Sequence, residues 1–303
     1  MAEEHLRAFA GLPGVVIAGI HSRTRARAEK LAASYNAAVY DSVSELYQKT
    51  NADLVVVTVV ELSVAQVAAA CFGFPWTVLL EKPAGYDLVD ATRIRDAADR
   101  AGRRVHVAFN RRAYSSTRQA VALLQNDGSQ RFIKVVDQQD QQAAIQINKQ
   151  PELVARNFMF ANSIHVIDYF RVLGRGDIVG VEPIVRWKPE QPGLVLSKVN
   201  FTSGDVGLYE GIWNGPGPWI VTVNTAGQRL EMRPLEQLSV QVRGTRTVTP
   251  LEIDPNDKTY KPGLRYQAMQ AVAAARGEPA QLATISDSWH SMKLVADIFG
   301  LSS

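Results

Sequence analysis

Over roughly its first 126 residues the chain alternates apolar runs of strand length with amphipathic stretches of helix length, and this alternation constrains the fold more than any other feature. Residues 15–20 (VVIAGI), 38–40, 53–58 (DLVVVT), 76–80 and 104–109 read as strands, and residues 25–35, 43–48, 64–71 and 88–101 as helices. Strands that are apolar on both faces, each followed by a helix, predict a parallel sheet covered on both sides. Ligands of such sheets sit beyond the carboxyl ends of the strands, near the switch in strand order.

The alternation begins irregularly. A helix over residues 2–10 turns through Gly11-Leu12-Pro13-Gly14 straight into the strand at 15–20. A doubly wound nucleotide-binding half opens with a strand and a glycine-rich turn ahead of that helix. Either the fold starts on a helix, or a strand and two glycines are encoded upstream of Met1 and lost by truncation or a misplaced start. The expectation is the second.

Beyond Asp127-Gly128 the pattern turns strand-rich. Residues 131–137 alternate, and the polar tract Gln138-Gln139-Asp140-Gln141-Gln142 is expected at an exposed or ligand-facing edge. One strong helix covers 161–173 and stops at Gly174. Strands follow at 178–187, 194–201, 206–213, 219–225, 229–232 and 238–242, with turns at Ser203-Gly204-Asp205 and Asn214-Gly215-Pro216-Gly217-Pro218. Amphipathic helices at 264–275 and 285–299 close the chain. The second half is thus α+β on a mostly antiparallel sheet. Large apolar residues along one of its strands (Val206, Leu208, Tyr209, Ile212, Trp213) suggest a sheet face covered by another copy of the chain.

Composition excludes several classes of function. With 46% hydrophobic and 21% charged residues the chain is not disordered. Thirty-three Lys and Arg against 30 Asp and Glu leave a formal charge of +3 and no dense basic stripe, so nucleic acid is not an expected partner. The apolar stretch at 54–74 is interrupted by Glu61, Ser63 and Gln66 and is no membrane span. Glu3, Glu4, His5 and Arg7 break any apolar leader, and the single Cys71 excludes an internal disulfide, so a soluble cytoplasmic protein is expected.

Four places carry candidate chemistry. Glu81-Lys82-Pro83 follows the strand at 76–80, where a Lys can donate to a substrate hydroxyl and stabilise a developing alkoxide; Lys-Pro is equally a common exposed turn. His165 and Asp168 lie three apart on one helix face, with Arg171 a further three along. A carboxylate beside a His orients the ring and raises its pKa, as a general acid or base requires, although a surface ion pair has the same spacing. Asn110-Arg111-Arg112 ends the last parallel strand and could hold a polyhydroxylated or anionic substrate, or be a solvated charge cluster. His21-Ser22-Arg23-Thr24 ends the strand at 15–20 without the acid that would bind a ribose 2′-hydroxyl, which favours NADP(H) over NAD(H); the alternative is a helix cap with an exposed Arg. His5, His106 and His290 are scattered and no metal site is visible.

Taken in order, these pieces resemble the Gfo/Idh/MocA family of NAD(P)-dependent sugar and cyclitol oxidoreductases over nearly the whole chain. Ala2-Glu3-Glu4-His5 is similar to the tail of the family's opening fingerprint, Glu81-Lys82-Pro83 matches its Glu-Lys-Pro motif, and Ser163 to Asp168 resembles its Gly-x-His-x-Ile-Asp helix. Lys261-Pro262-Gly263-Leu264 looks like the turn before its last helices. The resemblance implies a Rossmann-like domain over 1–113, with its first strand missing, and a substrate-binding and oligomerisation domain over 114–303 that forms homodimers or homotetramers. It further implies that Lys82 and His165 are catalytic. Ala2, Ser22, Arg23, Thr58, Glu81, Lys82 and Asn110 would bind the cofactor, and Arg112, Asn162, His165 and Asp168 the substrate. Three departures stand out: Ala161 replaces an Asp often found four residues before the His, Val57-Thr58-Val59-Val60 replaces an Ala-Thr-Pro-Asn pattern followed by a His where Ser63 stands, and the phosphate loop is absent. The implied activity is hydride transfer between NAD(P) and a secondary alcohol of a sugar, sugar-nucleotide or cyclitol. The alternative is a catalytically weakened binding protein that serves as a sensor or partner subunit.

Overall fold

The computed structural model describes residues 1–301. Its first part runs α1 (Ala2–Phe9), β1 (Gly19–His21), α2 (Arg25–Ala33), β2 (Ala38–Tyr40), α3 (Val43–Thr50), β3 (Leu54–Val57), α4 (Val64–Phe72), β4 (Thr77–Glu81), α5 (Leu88–Arg100) and β5 (Val105–Ala108). β3, β4 and β5 pair in parallel, with Val55 beside Val78 and Leu80 beside Val107. β4 lies between the other two and all five of its residues are buried. Its pleat feeds two cores. Val78 and Leu80, with Val57, Val105 and Val107, pack under α4 and α5, whereas Leu79 and Ala108 join Ala8 and Phe9 of α1 on the opposite face. Fully burying a side chain of this size stabilises the fold by about 1.5–3 kcal/mol.

The strand expected at 15–20 is corrected. Only Gly19–His21 forms a ladder, parallel to β2, and Val16 is 83% exposed. β1 and β2 make a two-stranded sheet of their own, and among the described residues no strand bridges β1 to β3. Residues 15–18 are apolar enough for a strand but have no edge to pair with, and a strand exists only through its ladder. Gly19 is needed where it stands, because a Cβ there would lie 2.4 Å from the Tyr40 ring.

The second part comprises α6 (Ser115–Leu124), β6 (Phe132–Gln139), α7 (Gln141–Gln146), α8 (Glu152–Arg156), α9 (Ile164–Ile167), α10 (Tyr169–Leu173), β7 (Ile178–Val185), β8 (Leu194–Phe201), β9 (Val206–Trp213), β10 (Ile220–Asn224), β11 (Gln228–Met232), β12 (Leu238–Val242) and β13 (Thr249–Pro250). The chain ends with α11 (Pro255–Thr259), α12 (Leu264–Ala275), β14 (Ala283–Thr284) and α13 (Ile285–Phe299). The large sheet has the order β13-β12-β11-β10-β6-β9-β8-β7, antiparallel except where β6 and β9 run parallel. Along β9 burial alternates, so Tyr209 and Trp213 point into the core, and only Val206, Leu208 and Ile212 of the residues expected on an open face lie outward.

Two further differences bear on the site. The helix expected over 161–173 enters through a π turn at Met159–Ser163, and Asp168 keeps helical angles (φ −58°, ψ −24°), so α9 and α10 form one continuous rod. π turns of this kind frequently mark functional positions. The split at residue 113 is crossed by the chain's return: β14 adds to β5 antiparallel, α12 packs on α1, and α13 lies against α5. The physical reason is the open outer edge of β5, which β14 covers.

Candidate active site

The carboxyl ends of the parallel strands β3, β4 and β5 place Thr58, Lys82 and Asn110 along one rim of their sheet, and Ser22 follows β1 in the separate β1–β2 sheet. Lys82 leaves β4 through a turn closed by Glu81, whose Oε2 accepts the Lys82 backbone N–H at 3.1 Å. The other oxygen, Oε1, lies 2.6 Å from Nε2 of His5, which α1 buries to 4% exposure. Burial opposes a charged carboxylate at Glu81, but the His5 hydrogen bond and the positive charges of His5 and Lys82 outweigh it and hold Glu81 below the usual carboxylate value. The Glu-Lys-Pro turn is therefore braced from α1.

The Lys82 ammonium reaches across to the second part, where Nζ donates to the carbonyl oxygen of Ala161 at 2.8 Å. Ala161 stands one helical turn ahead of His165, and the Lys82 charge acts on the imidazole from this junction. Loss of water lowers the Lys82 pKa to about 8, reinforced by the nearby charges of Arg111 and Lys261 and partly offset by Glu81 and Glu61. His165 is 6% exposed, and its buried Nδ1 has no hydrogen-bond partner. Burial first, then the charges of Arg111, Lys82 and Lys261, hold its pKa well below the ordinary histidine value. The imidazole is neutral at neutral pH and so able to accept a proton.

The pairing expected between His165 and Asp168 does not form. Asp168, 2% exposed, is held by Arg112 through two hydrogen bonds of 2.6 and 2.7 Å and by Ser291 at 2.6 Å. Arg112 and Asp168 were both expected on the substrate; they are instead a bridge between the two parts. A bidentate guanidinium outcompetes an imidazole for a buried carboxylate because it brings a permanent charge and matching geometry. Asn110 is likewise engaged: Nδ2 donates to the carbonyl of Pro262 at 3.2 Å. Gly263 closes on the same residue, with φ +77° and a Cβ position only 2.1 Å from the Asn110 carbonyl, which brings the Lys261-Pro262 turn to the site.

Asn162 is oriented by a chain of buried polar groups. Its Nδ2 donates to Oε1 of Gln139 at 2.8 Å, Gln139 donates to Oδ1 of Asp137 at 2.7 Å, and Tyr209 donates to Oδ2 of Asp137 at 2.8 Å. With its nitrogen engaged, Asn162 presents its carbonyl oxygen as an acceptor. Burial raises the Asp137 pKa, partly offset by the hydrogen bonds from Tyr209 and Gln139. Gln139, expected at an exposed or ligand-facing edge, is buried and closes the inner end of the polar tract against Asn162, and Asp140 caps α7.

Ser22 caps its own turn, accepting from the Thr24 N–H at 3.2 Å, and Arg23 is exposed. Ala2 opens α1, which starts without a side-chain cap and so leaves its first N–H groups available, while Lys261 Nζ reaches Met1 Sδ at 3.1 Å over that end. The orphaned His165 Nδ1 and Arg111 Nε, beside Lys82, leave polar capacity for a bound ring and its substrate. The residues present fit a dinucleotide laid along these strand ends. Of the groups around the site, Trp219 alone has no signal in the sequence as a site residue; His5 and Lys261 stand in family-like segments without an assigned role, and Gln139 lies in the tract expected at an exposed or ligand-facing edge. His5 also shares the buried face of α1 with Ala8 and Phe9.

Residues 1–109 match the model of an oxidoreductase family with an NAD-binding Rossmann fold, Gfo/Idh/MocA. No curated protein matches the chain. Among solved structures, a dehydrogenase from Chromobacterium violaceum is similar at TM-score 0.83 and 17% identity, over 99% of this chain and 91% of that one. Levoglucosan dehydrogenase in complex with NADH and levoglucosan is similar at TM-score 0.80 and 16% identity, over 100% and 94%. UDP-N-acetylglucosamine 3-dehydrogenase from Acidithiobacillus ferrooxidans is similar at TM-score 0.78 and 15% identity, over 99% and 93%. At these identities the likeness is one of fold.

Proposed function

We propose, from the match of residues 1–109 to the model of the Gfo/Idh/MocA NAD-binding Rossmann oxidoreductases, that the chain is a cytoplasmic NAD(P)-dependent oxidoreductase acting on a secondary alcohol of a sugar, sugar-nucleotide or cyclitol. The observation that carries the reading is the contact of Lys82 Nζ with the Ala161 carbonyl at 2.8 Å, which sets an ammonium one turn from a buried, neutral imidazole. The sugar-directed dehydrogenases among the structural neighbours support the substrate class.

Bound at the strand ends, a nicotinamide ring supplies the hydride acceptor or donor. Thr58, Glu81 and Lys82 would hold that end, and Ala2, Ser22 and Arg23 the far end. Arg23, with no acid beside it in His21-Ser22-Arg23-Thr24, favours a 2′-phosphate and hence NADP(H). Lys82 donates to the substrate oxygen and stabilises negative charge on it. His165 takes the hydroxyl proton on oxidation and returns it on reduction. The Asn162 carbonyl oxygen accepts from a neighbouring substrate hydroxyl. Self-association runs through the outer face of the large sheet.

The test is turnover and cofactor binding in the same proteins, on a panel of hexoses, inositols and UDP-sugars. Lys82→Ala and His165→Ala each lower turnover by about a hundredfold or more, while nicotinamide fluorescence titration gives unchanged cofactor affinity. Turnover that survives both substitutions overturns the assignment. Cofactor binding without turnover in the unaltered chain leaves the binding-protein reading.

A further inference from the structure

Arg111 differs from the other guanidiniums around the junction of the two parts. Arg112 is paired with Asp168, Arg118 with Asp254 and Arg175 with Asp205, and Arg131 donates to the carbonyls of Leu173 and Leu124. Arg111 has no carboxylate or carbonyl within bonding distance among the described residues, and its Nε is buried without a partner. It lies over a ring face: the guanidinium carbon is 4.7 Å from the centroid of Trp219. That indole is fixed by donating to the Gln138 carbonyl at 2.8 Å, and its ring stands 6.5 Å from the His165 ring. A ring face returns less than the loss of water costs a guanidinium, so the fork is left with unused donors. Lys82 and Lys261 add positive charge to the same place; of the carboxylates near it, Glu81 is engaged by His5, Asp137 by Gln139 and Tyr209, and Glu61 acts on Lys82.

We propose that Arg111, stacked on Trp219, is the recognition group for an anionic substituent, a carboxylate or phosphate, carried by the hydroxylated substrate. The proposal rests on the oxidoreductase reading for the identity of the hydroxyl-bearing part, not for the anion site itself. Two oxygens of a carboxylate or phosphate meet the free edge of the guanidinium bidentately while the indole keeps the fork in one plane. Bound there, the anion also sets a negative charge near His165, opposing the cations that keep the imidazole from taking a proton. Substrate binding and base strength are then coupled through one residue.

The test uses the full chain and small anions, so it does not depend on finding the substrate. The His165 ring resonances are followed by NMR during titration with inorganic phosphate and, separately, with acetate. Parallel arms use glucose 6-phosphate, glucuronate and glucose. The expected result is a saturable change at His165 with phosphate or acetate that raises its apparent pKa, at least tenfold weaker in Arg111→Gln and partly restored in Arg111→Lys, with glucose alone leaving the pKa where it was. The phosphate and carboxylate arms identify which oxyanion the site prefers. An unchanged His165 signal in the unaltered chain, or an equal response in folded Arg111→Gln, overturns the proposal. Turnover of neutral sugars with no anion response removes this inference alone; an anion response without turnover removes the enzyme reading and keeps the site.

Discussion

Replacing Asp168 with Asn separates a structural carboxylate from a catalytic one. Asp168 accepts Nε and Nη2 of Arg112 at 2.6 and 2.7 Å and Oγ of Ser291 at 2.6 Å. The asparagine keeps the volume but removes the charge and turns one oxygen into an N–H donor aimed at another donor. Breaking a buried ion pair at one partner costs about 3–5 kcal/mol. Here the Arg112 side chain is 25% exposed, so water recovers part of the loss, and the expected destabilisation is about 2–4 kcal/mol. Equilibrium urea unfolding of Asp168→Asn measures it. The double variant Asp168→Asn/Arg112→Met should lose clearly less than the sum of the two single variants, because each removes the same interaction. A loss below about 1 kcal/mol, with turnover abolished, refutes the reasoning and returns Asp168 to His165.

Three other outcomes follow from the same geometry. Because burial lowers the folded-state pKa of Lys82 from 10.5 to about 8, the folded chain gives up this proton before the unfolded chain does; this residue's contribution to stability rises with pH across that window, and Lys82→Met flattens the rise in urea titrations across it. On the outer sheet face Leu194, paired with the outward Ile212, is 50% exposed; light scattering at micromolar concentration should give a dimer or larger, and Leu194→Glu a shift towards monomer. Arg23→Glu should reverse the NADPH-over-NADH preference in fluorescence titration, and an unchanged ratio removes Arg23 from the cofactor site.

Periodicity was enough to place Lys82, since a residue following a parallel strand must stand at the strand's carboxyl end. It was enough for the helix bearing His165 as well, where Ile164 and Ile167 are wholly buried. It failed at residues 15–18, because apolar pattern records the wish to be buried and not the presence of a partner edge. It failed again at Asp168. Spacing within one helix put the carboxylate beside His165, but Arg112, 56 positions away in sequence, was drawn to it with greater force. The brace of His5 on Glu81 spans 76 positions and leaves no local trace beyond the buried face of α1. Interactions set by the packing of two layers are invisible to any window shorter than a layer.

Arg111 and Arg112 show how one turn can divide its charges between structure and chemistry. Both sit in a short 3-10 turn, Asn110–Ala113, that ends the last parallel strand of the first part. Such a turn sends adjacent side chains in different directions. One guanidinium goes to Asp168 and is neutralised; the other goes to Trp219 and is not. The unneutralised charge acts with Lys82 and Lys261 on His165, which stays deprotonated first because it is buried and then because a fourth positive charge there is costly. For alcohol oxidation this has two opposed consequences. The same cations that stabilise an alkoxide make the imidazole a weaker base, so a substrate lacking negative charge meets strong oxyanion stabilisation but poor proton acceptance. Negative charge near Arg111 shifts that balance towards proton acceptance. On the proposed mechanism the efficiency of the site is set by how much positive charge survives when the substrate is bound, and Arg111 is the group through which an anionic substrate would change it.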